Sequence, residues 1–143
     1  MLSKDRHSAL KNKTVFVSCI IPVYNEQAII ETFITSLQKT LSELTTHFEI
    51  IVVDDGSRDY TVEKVLPLVN NATIKLLGLS RNFGKEIALT AGLEHSSGEV
   101  VILMDADFQH PLEMLSTFLQ HWAQGYDMVY GTRVDRELSL IHI

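Results

Sequence analysis

Two aspartates separated by one small residue, Asp105 and Asp107, have the clearest capacity for chemistry in this sequence. They directly follow the apolar run Val100 to Met104, where packing does not require a charged side chain. Carboxylates this close repel one another unless a cation lies between them, and hard oxygen ligands suit Mg²⁺ or Mn²⁺ bridging a diphosphate. A solvated loop, or a cap for a helix that begins at Pro111, would also account for the pair. The spacing alone leaves both interpretations open.

A second acidic pair, Asp54 and Asp55, closes another apolar run and is followed by Gly56 and Ser57. Carboxylates at a strand end can accept hydrogen bonds from the N–H or hydroxyl groups of a base and ribose. The alternative is a turn in which Asp and Ser cap the next helix and Gly supplies a positive φ. Both can hold together, so we expect Asp54 and Asp55 to contact a ligand and Gly56 and Ser57 to be structural.

Two further segments carry side chains that suit a nucleotide. Pro22 and Tyr24 could form a flat wall for a nucleobase, and Glu26 could meet its polar edge or the ribose. A turn with Asn25 as the helix cap is the simpler alternative.

A basic loop supplies the second of these segments. Arg81 and Lys85 flank the start of a predicted helix, and helix N-termini bind anions such as phosphate. The alternative is a charged loop in contact with solvent.

These polar segments follow apolar runs that alternate with amphipathic stretches. The strands are predicted at Val15–Val23, Phe48–Val53, Thr73–Leu79, Val100–Met104 and Met128–Tyr130. The helices are predicted at Gln27–Leu44, Asp59–Val69, Lys85–His95 and Pro111–Ala123. This alternation predicts a Rossmann-like α/β/α sandwich with a mainly parallel sheet. Ligands of such sheets bind outside the carboxyl ends of the strands, where all the polar segments fall.

Composition limits the class of protein. The chain has 143 residues, 45% of them hydrophobic, and a net charge of −6, which indicates one globular domain and argues against a nucleic-acid partner. The single cysteine, Cys19, lies in an apolar run and is expected to be a buried thiol. No stretch reaches the roughly 18 to 20 apolar residues of a membrane span, so we expect the chain to be soluble and cytoplasmic.

Taken together, the motifs resemble the family-2 glycosyltransferases of the GT-A type, and most closely the dolichyl- and undecaprenyl-phosphate glycosyltransferases. The order and the strand-end placement of the segments carry this resemblance, which spans about residues 15 to 134. The segments are Ile20 to Glu26, Val52 to Ser57, Ser80 to Glu86 with Ala91 to Leu93, Met104 to Pro111, and Gly131 to Arg133.

The resemblance implies a role for each matching position. Pro22, Tyr24, Glu26, Asp54 and Asp55 would hold the nucleoside. Asp105 and Asp107 would carry Mg²⁺ or Mn²⁺ and the diphosphate, Gln109 would lie near the sugar, and Arg133 would face the phosphates. On this basis residues 14–134 form a GT-A nucleotide-sugar-binding domain, 1–13 a polar N-terminal tail and 135–143 a truncated or unrelated tail.

The implied reaction is inverting transfer of a hexose from a UDP- or GDP-sugar to polyprenyl phosphate, with the full-length protein associated with the cytoplasmic face of a membrane. A phosphate acceptor is mostly dianionic at neutral pH, since its second pKa is about 6, and needs no general base. The alternatives are transfer to a glycan hydroxyl and a truncated, non-catalytic nucleotide-binding module. A haloacid-dehalogenase-like phosphatase also uses Asp-x-Asp, but Phe108-Gln109 departs from its pattern.

Overall fold

The computed structural model describes residues 2–107, 111–125, 128–131 and 138–141. The helices within these residues are α1 Leu2–Lys11, α2 Ile30–Leu44, α3 Thr61–Val65, α4 Lys85–Glu94 and α5 Pro111–Ala123. The strands are β1 Phe16–Val23, β2 His47–Asp54, β3 Ile74–Gly78, β4 Val100–Leu103, β5 Met128–Gly131 and β6 Leu138–Ile141. In this part of the chain, no helix combines the length and apolar character needed to cross a membrane.

The strands form one sheet in the order β3-β2-β1-β4-β5-β6. The pairs β3–β2, β2–β1, β1–β4 and β4–β5 are parallel, and β6 pairs antiparallel with β5. The chain builds outward from β1 to β3 and then crosses to β4 on the other side of β1. The crevice outside the ends of β1 and β4 is therefore the kind of switch point at which such sheets bind ligands. The predicted α/β fold with a mainly parallel sheet is confirmed.

Both faces of the central strands are covered, which explains their almost unbroken apolar sequences. One core contains Cys19 and Ile21 of β1 with side chains from α2 and α5. Burial raises the pKa of the Cys19 thiol far above its ordinary range. On the other face, Ile20 belongs to a second core with Ala88 of α4. Here α4 lies so close that a Cβ on Gly92 would approach Cγ2 of Ile20 to 2.4 Å.

The first helix is the main departure from the sequence prediction, because residues 1–13 were expected to form a polar tail. In the structure Arg6 fastens α1 to α5: its guanidinium carbon lies 5.1 Å from the Trp122 ring centroid, and its Nη1 donates to the Trp122 carbonyl at 3.0 Å. Ala9 and Leu10 also pack against the core. The helix is polar along most of its length, so its docking depends on contacts about a hundred residues away in the chain.

Two other helices differ from their predicted bounds for local reasons. Helix α2 begins at Ile30 rather than Gln27, after a turn in which the N–H groups of Ile29 and Ile30 both donate to the carbonyl of Glu26. Helix α3 ends at Val65, and the chain continues as a short 3₁₀ turn, Leu66–Leu68. Proline at position 67 lacks an N–H and cannot continue an α-helical turn. Strand β6 lies in the segment 135–143, for which no strand was predicted.

A buried polar cluster closes the sheet at the edge opposite the carboxyl ends. Glu49 is only 1% exposed and accepts hydrogen bonds from Ser18 Oγ at 2.6 Å, Lys75 Nζ at 2.8 Å and the Ser97 N–H at 2.7 Å. Burial raises the pKa of the Glu49 carboxyl, but these hydrogen bonds and the charge of Lys75 outweigh it, so the net pKa lies below the ordinary value of 4.5. The cluster connects β1, β2 and β3 with the segment that precedes β4.

Candidate functional site

The carboxyl ends of β1, β2 and β4 bring most of the predicted site residues to one edge of the sheet. These strands are neighbours in the order β2-β1-β4, so the residues that follow them must lie side by side. The described members of the predicted set are Pro22, Tyr24, Glu26, Asp54, Asp55, Arg81, Lys85, Asp105 and Asp107. Two predicted residues, Gln109 and Arg133, lie outside the described residues.

Asp54, the last residue of β2, has one carboxylate oxygen without a hydrogen-bond partner among the described residues. The side chain is buried, with 4% of its surface exposed. Its Oδ2 accepts the Ser57 N–H at 3.0 Å, as a turn cap would, whereas its buried Oδ1 has no hydrogen-bond partner among the described residues. Leaving a buried acceptor unsatisfied costs about 1 to 3 kcal/mol. Asp54 therefore caps the turn through Oδ2, and its Oδ1 is a buried acceptor without a partner among the described residues. Its contact with a ligand stays a prediction.

Asp55 uses its carboxylate differently from its neighbour, although it is equally buried. Oδ1 accepts the Phe83 N–H at 2.8 Å, and Oδ2 accepts the Gly84 N–H at 3.0 Å and Asn82 Nδ2 at 3.3 Å. The side chain thus binds the backbone of the loop between β3 and α4. A contact of Asp55 with a nucleoside was expected from the sequence, and this use of the side chain was not.

The loop after β1 and the loop after β2 are joined by reciprocal hydrogen bonds, which we call the clasp. Asn25 and Gln27 each use both the backbone N–H and the side-chain oxygen in it. The bonds are Asn25 N–H to Ser57 Oγ at 2.9 Å, Arg58 N–H to Asn25 Oδ1 at 2.9 Å, Glu26 N–H to Thr61 Oγ1 at 2.8 Å, Gln27 N–H to Asp59 Oδ2 at 3.3 Å and Tyr60 N–H to Gln27 Oε1 at 2.9 Å.

The clasp depends on local backbone geometry as well as on these bonds. Asn25 has a φ of 53°, a left-handed conformation that asparagine tolerates better than most residues. Desolvation raises the pKa of the Asp59 carboxyl, but the hydrogen bonds from Thr61 and Gln27 together outweigh it, so the net pKa lies below the ordinary value. Tyr24 lies between β1 and the clasp and is 41% exposed, so its side chain is accessible for stacking.

The acidic pair after β4 already has a cation beside it. Lys85 Nζ lies 2.6 Å from Asp105 Oδ1, and both Asp105 and Asp107 are half-buried. The two cations that were predicted to contact phosphate therefore have different partners within the protein. Lys85 contacts the acidic pair, whereas the Arg81 guanidinium carbon lies 4.5 Å from the Phe83 ring centroid.

The donor set suits a divalent ion that is shared with a ligand. Within the described residues no three acidic, histidine or cysteine side chains cluster closely enough to hold a metal alone. One or two carboxylates from a protein commonly hold Mg²⁺ when phosphate oxygens and water complete its coordination. The Lys85 ammonium beside Asp105 places a positive charge next to the acidic pair.

Sequence reasoning missed the clasp and the loop-binding use of Asp55. Asn25 and Gln27 belong to an ordinary polar turn by composition, and only their partners 32 or 33 residues later reveal their function. The available signal was the asparagine itself, which is favoured where a backbone adopts positive φ.

The chain is similar in sequence and in fold to known glycosyltransferases. Residues 18–141 match the profile of glycosyl transferase family 2. The chain is 43% identical over 125 residues to an uncharacterized glycosyltransferase of Synechocystis, with 87% of this chain and 39% of the relative covered. It is 39% identical to an undecaprenyl-phosphate 4-deoxy-4-formamido-L-arabinose transferase of Pseudomonas aeruginosa, with 86% and 37% covered. The chain thus spans less than two fifths of the length of these relatives.

Among solved structures, the fold is similar to that of a mannosyltransferase of Pyrobaculum calidifontis in complex with GDP-mannose and Mn²⁺. The TM-score is 0.58 at 30% sequence identity, and the similarity covers 64% of this chain and 27% of that one.

Proposed function

The chain belongs to glycosyl transferase family 2, and we propose that it is the donor-binding part of an inverting enzyme that transfers a hexose from a UDP- or GDP-sugar to polyprenyl phosphate. The observation that carries the proposal is the acidic pair at the switch point with the Lys85 ammonium 2.6 Å from Asp105. Two aspartates that follow β4 beside the switch point, with a lysine ammonium next to one of them, suit a metal-bound diphosphate.

The nucleoside lies at the β1 and β2 ends of this site. Asp54 Oδ1 accepts a hydrogen bond from the base or ribose, which removes the cost of a buried, unsatisfied oxygen. Pro22 and Tyr24 form the apolar wall against the base, and Glu26 meets its polar edge or the ribose. Asp55 follows Asp54 directly, and its carboxylate binds the loop Asn82–Gly84.

The diphosphate and sugar lie at the β4 end. Asp105 and Asp107 hold Mg²⁺ or Mn²⁺, which when bound neutralises negative charge on the diphosphate leaving group. Lys85 and Arg81 stand at the start of α4 and contact the phosphates. The family resemblance adds Arg133 for the phosphates and Gln109 for the sugar.

The acceptor follows from the chemistry of the relatives rather than from residues of this site. The Pseudomonas relative is named for transfer to undecaprenyl phosphate. Such a phosphate is a nucleophile at neutral pH without a general base. Because the lipid is held in a membrane, the intact protein works at the membrane surface, on the cytoplasmic face where nucleotide-sugars are found.

Calorimetric titration with UDP- and GDP-sugars, with Mn²⁺ and with EDTA, tests the donor half of this proposal. We expect binding of one nucleotide series in Mn²⁺ and a loss of at least tenfold in EDTA, because the acidic pair otherwise repels the diphosphate. Equal affinity in Mn²⁺ and in EDTA would show that nucleotide binding does not require a metal.

The acceptor half is tested by radiolabelled donor and polyprenyl phosphate in detergent. Lipid-linked product supports polyprenyl phosphate, and product only with a glycan supports a hydroxyl acceptor. A third outcome is donor binding without either product, both in this chain and in a version extended with the remaining region of a relative. That outcome would indicate a non-catalytic nucleotide-binding module.

A further inference from the structure

The carboxylate of Asp55 is directed into the protein's own loop. Three donors from the segment Asn82 to Gly84 surround it at 2.8 to 3.3 Å, and two of them are backbone N–H groups. Charge-assisted hydrogen bonds of this kind are stronger than neutral ones. Since Asp55 is only 4% exposed, solvent competes little for these hydrogen bonds.

Gly56 allows the loop to come this close. It has a φ of +74°, and a Cβ at this position would lie 2.3 Å from the Arg81 carbonyl carbon and 2.5 Å from the Asn82 backbone nitrogen. Any side chain would therefore push the loop away from β2. The Asp55-Gly56 pair both attracts the loop and leaves room for it.

The held segment leads directly to the acidic pair. Gly84, whose N–H is bound by Asp55, is the residue before α4, and Lys85 is the first residue of that helix. The Lys85 ammonium then meets Asp105 at 2.6 Å. A short physical path therefore connects a carboxylate after β2 with a carboxylate after β4, through two consecutive residues of the loop.

We infer that Asp55 is a positioning residue for the diphosphate end of the donor site, acting through the loop Asn82–Gly84 to set Lys85 against the acidic pair. This inference rests on the proposed function and divides the work of two adjacent carboxylates. Asp54, with its open Oδ1, contacts the nucleoside, and Asp55 controls where the phosphate-binding lysine stands.

Comparison of nucleoside monophosphate with diphosphate binding separates the two roles. With Mn²⁺ present throughout, Asp55→Asn should weaken UDP about tenfold and UMP by less than about twofold, or GDP and GMP if the wild type prefers guanine. The matched control is the neighbour: Asp54→Asn should weaken the monophosphate and the diphosphate alike. Equal losses of both ligands in Asp55→Asn would overturn the inference and return Asp55 to direct nucleoside contact.

A coupling experiment checks that the effect passes through Lys85. If it does, adding Asp55→Asn to Lys85→Met should cost markedly less UDP affinity than Asp55→Asn costs alone. Fully additive losses would contradict the path. A wild type that binds neither nucleotide would refute the proposed function, which is a different outcome from either result.

Loop release is measured without any ligand. Trypsin cleavage after Arg81 and Lys85, followed by mass spectrometry, should accelerate several-fold in Asp55→Asn, because local opening exposes the loop. If that variant does not fold, Gly56→Ala should show the same acceleration with Asp55 intact, since its Cβ displaces the loop. Unchanged cleavage in folded Asp55→Asn would show that the loop does not depend on this contact, and unchanged cleavage in folded Gly56→Ala would show that it does not depend on the close approach at Gly56.

Discussion

The Nζ atom of Lys85 lies 2.6 Å from Oδ1 of Asp105, so the protein itself supplies a cation to one of the two aspartates proposed to bind a metal. The lysine comes from the start of α4 and the aspartate from the end of β4, which meet only because the sheet brings their loops together. The positive charge of Lys85 offsets part of the repulsion between Asp105 and Asp107.

Lys85→Met is expected to change metal and nucleotide binding in opposite directions. Removal of the ammonium should strengthen Mn²⁺ binding to the free protein by two- to fivefold, since a half-exposed ion pair is worth at most about 1 kcal/mol. It should weaken UDP or GDP binding, because a phosphate contact is lost. Electron paramagnetic resonance of free Mn²⁺ measures the first effect and calorimetry the second. Weaker Mn²⁺ binding in the variant would show that Lys85 does not compete with the metal.

Asp107→Asn is expected to weaken metal-dependent binding of the nucleotide diphosphate at least tenfold. One of the two carboxylates proposed to hold the ion is lost, and an amide oxygen is a poorer ligand for a hard cation. Calorimetry in Mn²⁺ and in EDTA gives the measurement. Glu43→Gln, an exposed carboxylate near the end of α2, removes the same charge elsewhere and should bind like the wild type. If both variants lost affinity equally, net charge and not the site would be responsible.

Asn25 variants are expected to separate backbone conformation from hydrogen bonding in the clasp. Asn25→Asp keeps an oxygen for the Arg58 N–H and tolerates a φ of 53°, so it should stay close to the wild type. Asn25→Gly keeps the conformation and loses the acceptor, and Asn25→Ala loses both, with a cost of about 1 to 3 kcal/mol. Nucleotide affinity and melting temperature should fall in the order Asp, Gly, Ala. An alanine variant as good as the aspartate variant would show that the clasp has no role.

Acid is expected to destabilise the fold partly through Glu49. Its pKa is lower in the folded protein than the ordinary value of 4.5, so the folded state gains stability above that value and loses it as the pH falls through the folded pKa. Urea unfolding between pH 7 and pH 3 should show this decline, and Glu49→Gln should flatten it.

The same substitution should lower stability at pH 7 by about 1 to 3 kcal/mol, since the donors around this buried position lose a carboxylate. Glu43→Gln again provides the exposed control, with the pH dependence of the wild type. An unchanged slope below pH 4.5 in Glu49→Gln would assign the acid sensitivity to other groups.

The sequence by itself determined the sheet and the edge at which its ligand residues gather. Unbroken runs such as that of β1 identify strands buried on both faces, and aspartates placed after β2 and β4 must reach the same edge when the strands are parallel. These inferences needed only the local alternation of apolar and polar residues.

Tertiary structure alone decided which of these residues use their polar atoms within the protein. Asp54 and Asp55 are chemically identical neighbours, yet one keeps an open buried oxygen and the other binds a loop 28 residues away. Helix α1 likewise has the composition of a tail and is held by Arg6 against Trp122, 116 residues later. A side chain's partner is set by the packing of distant elements, and periodicity along the chain carries no information about such contacts.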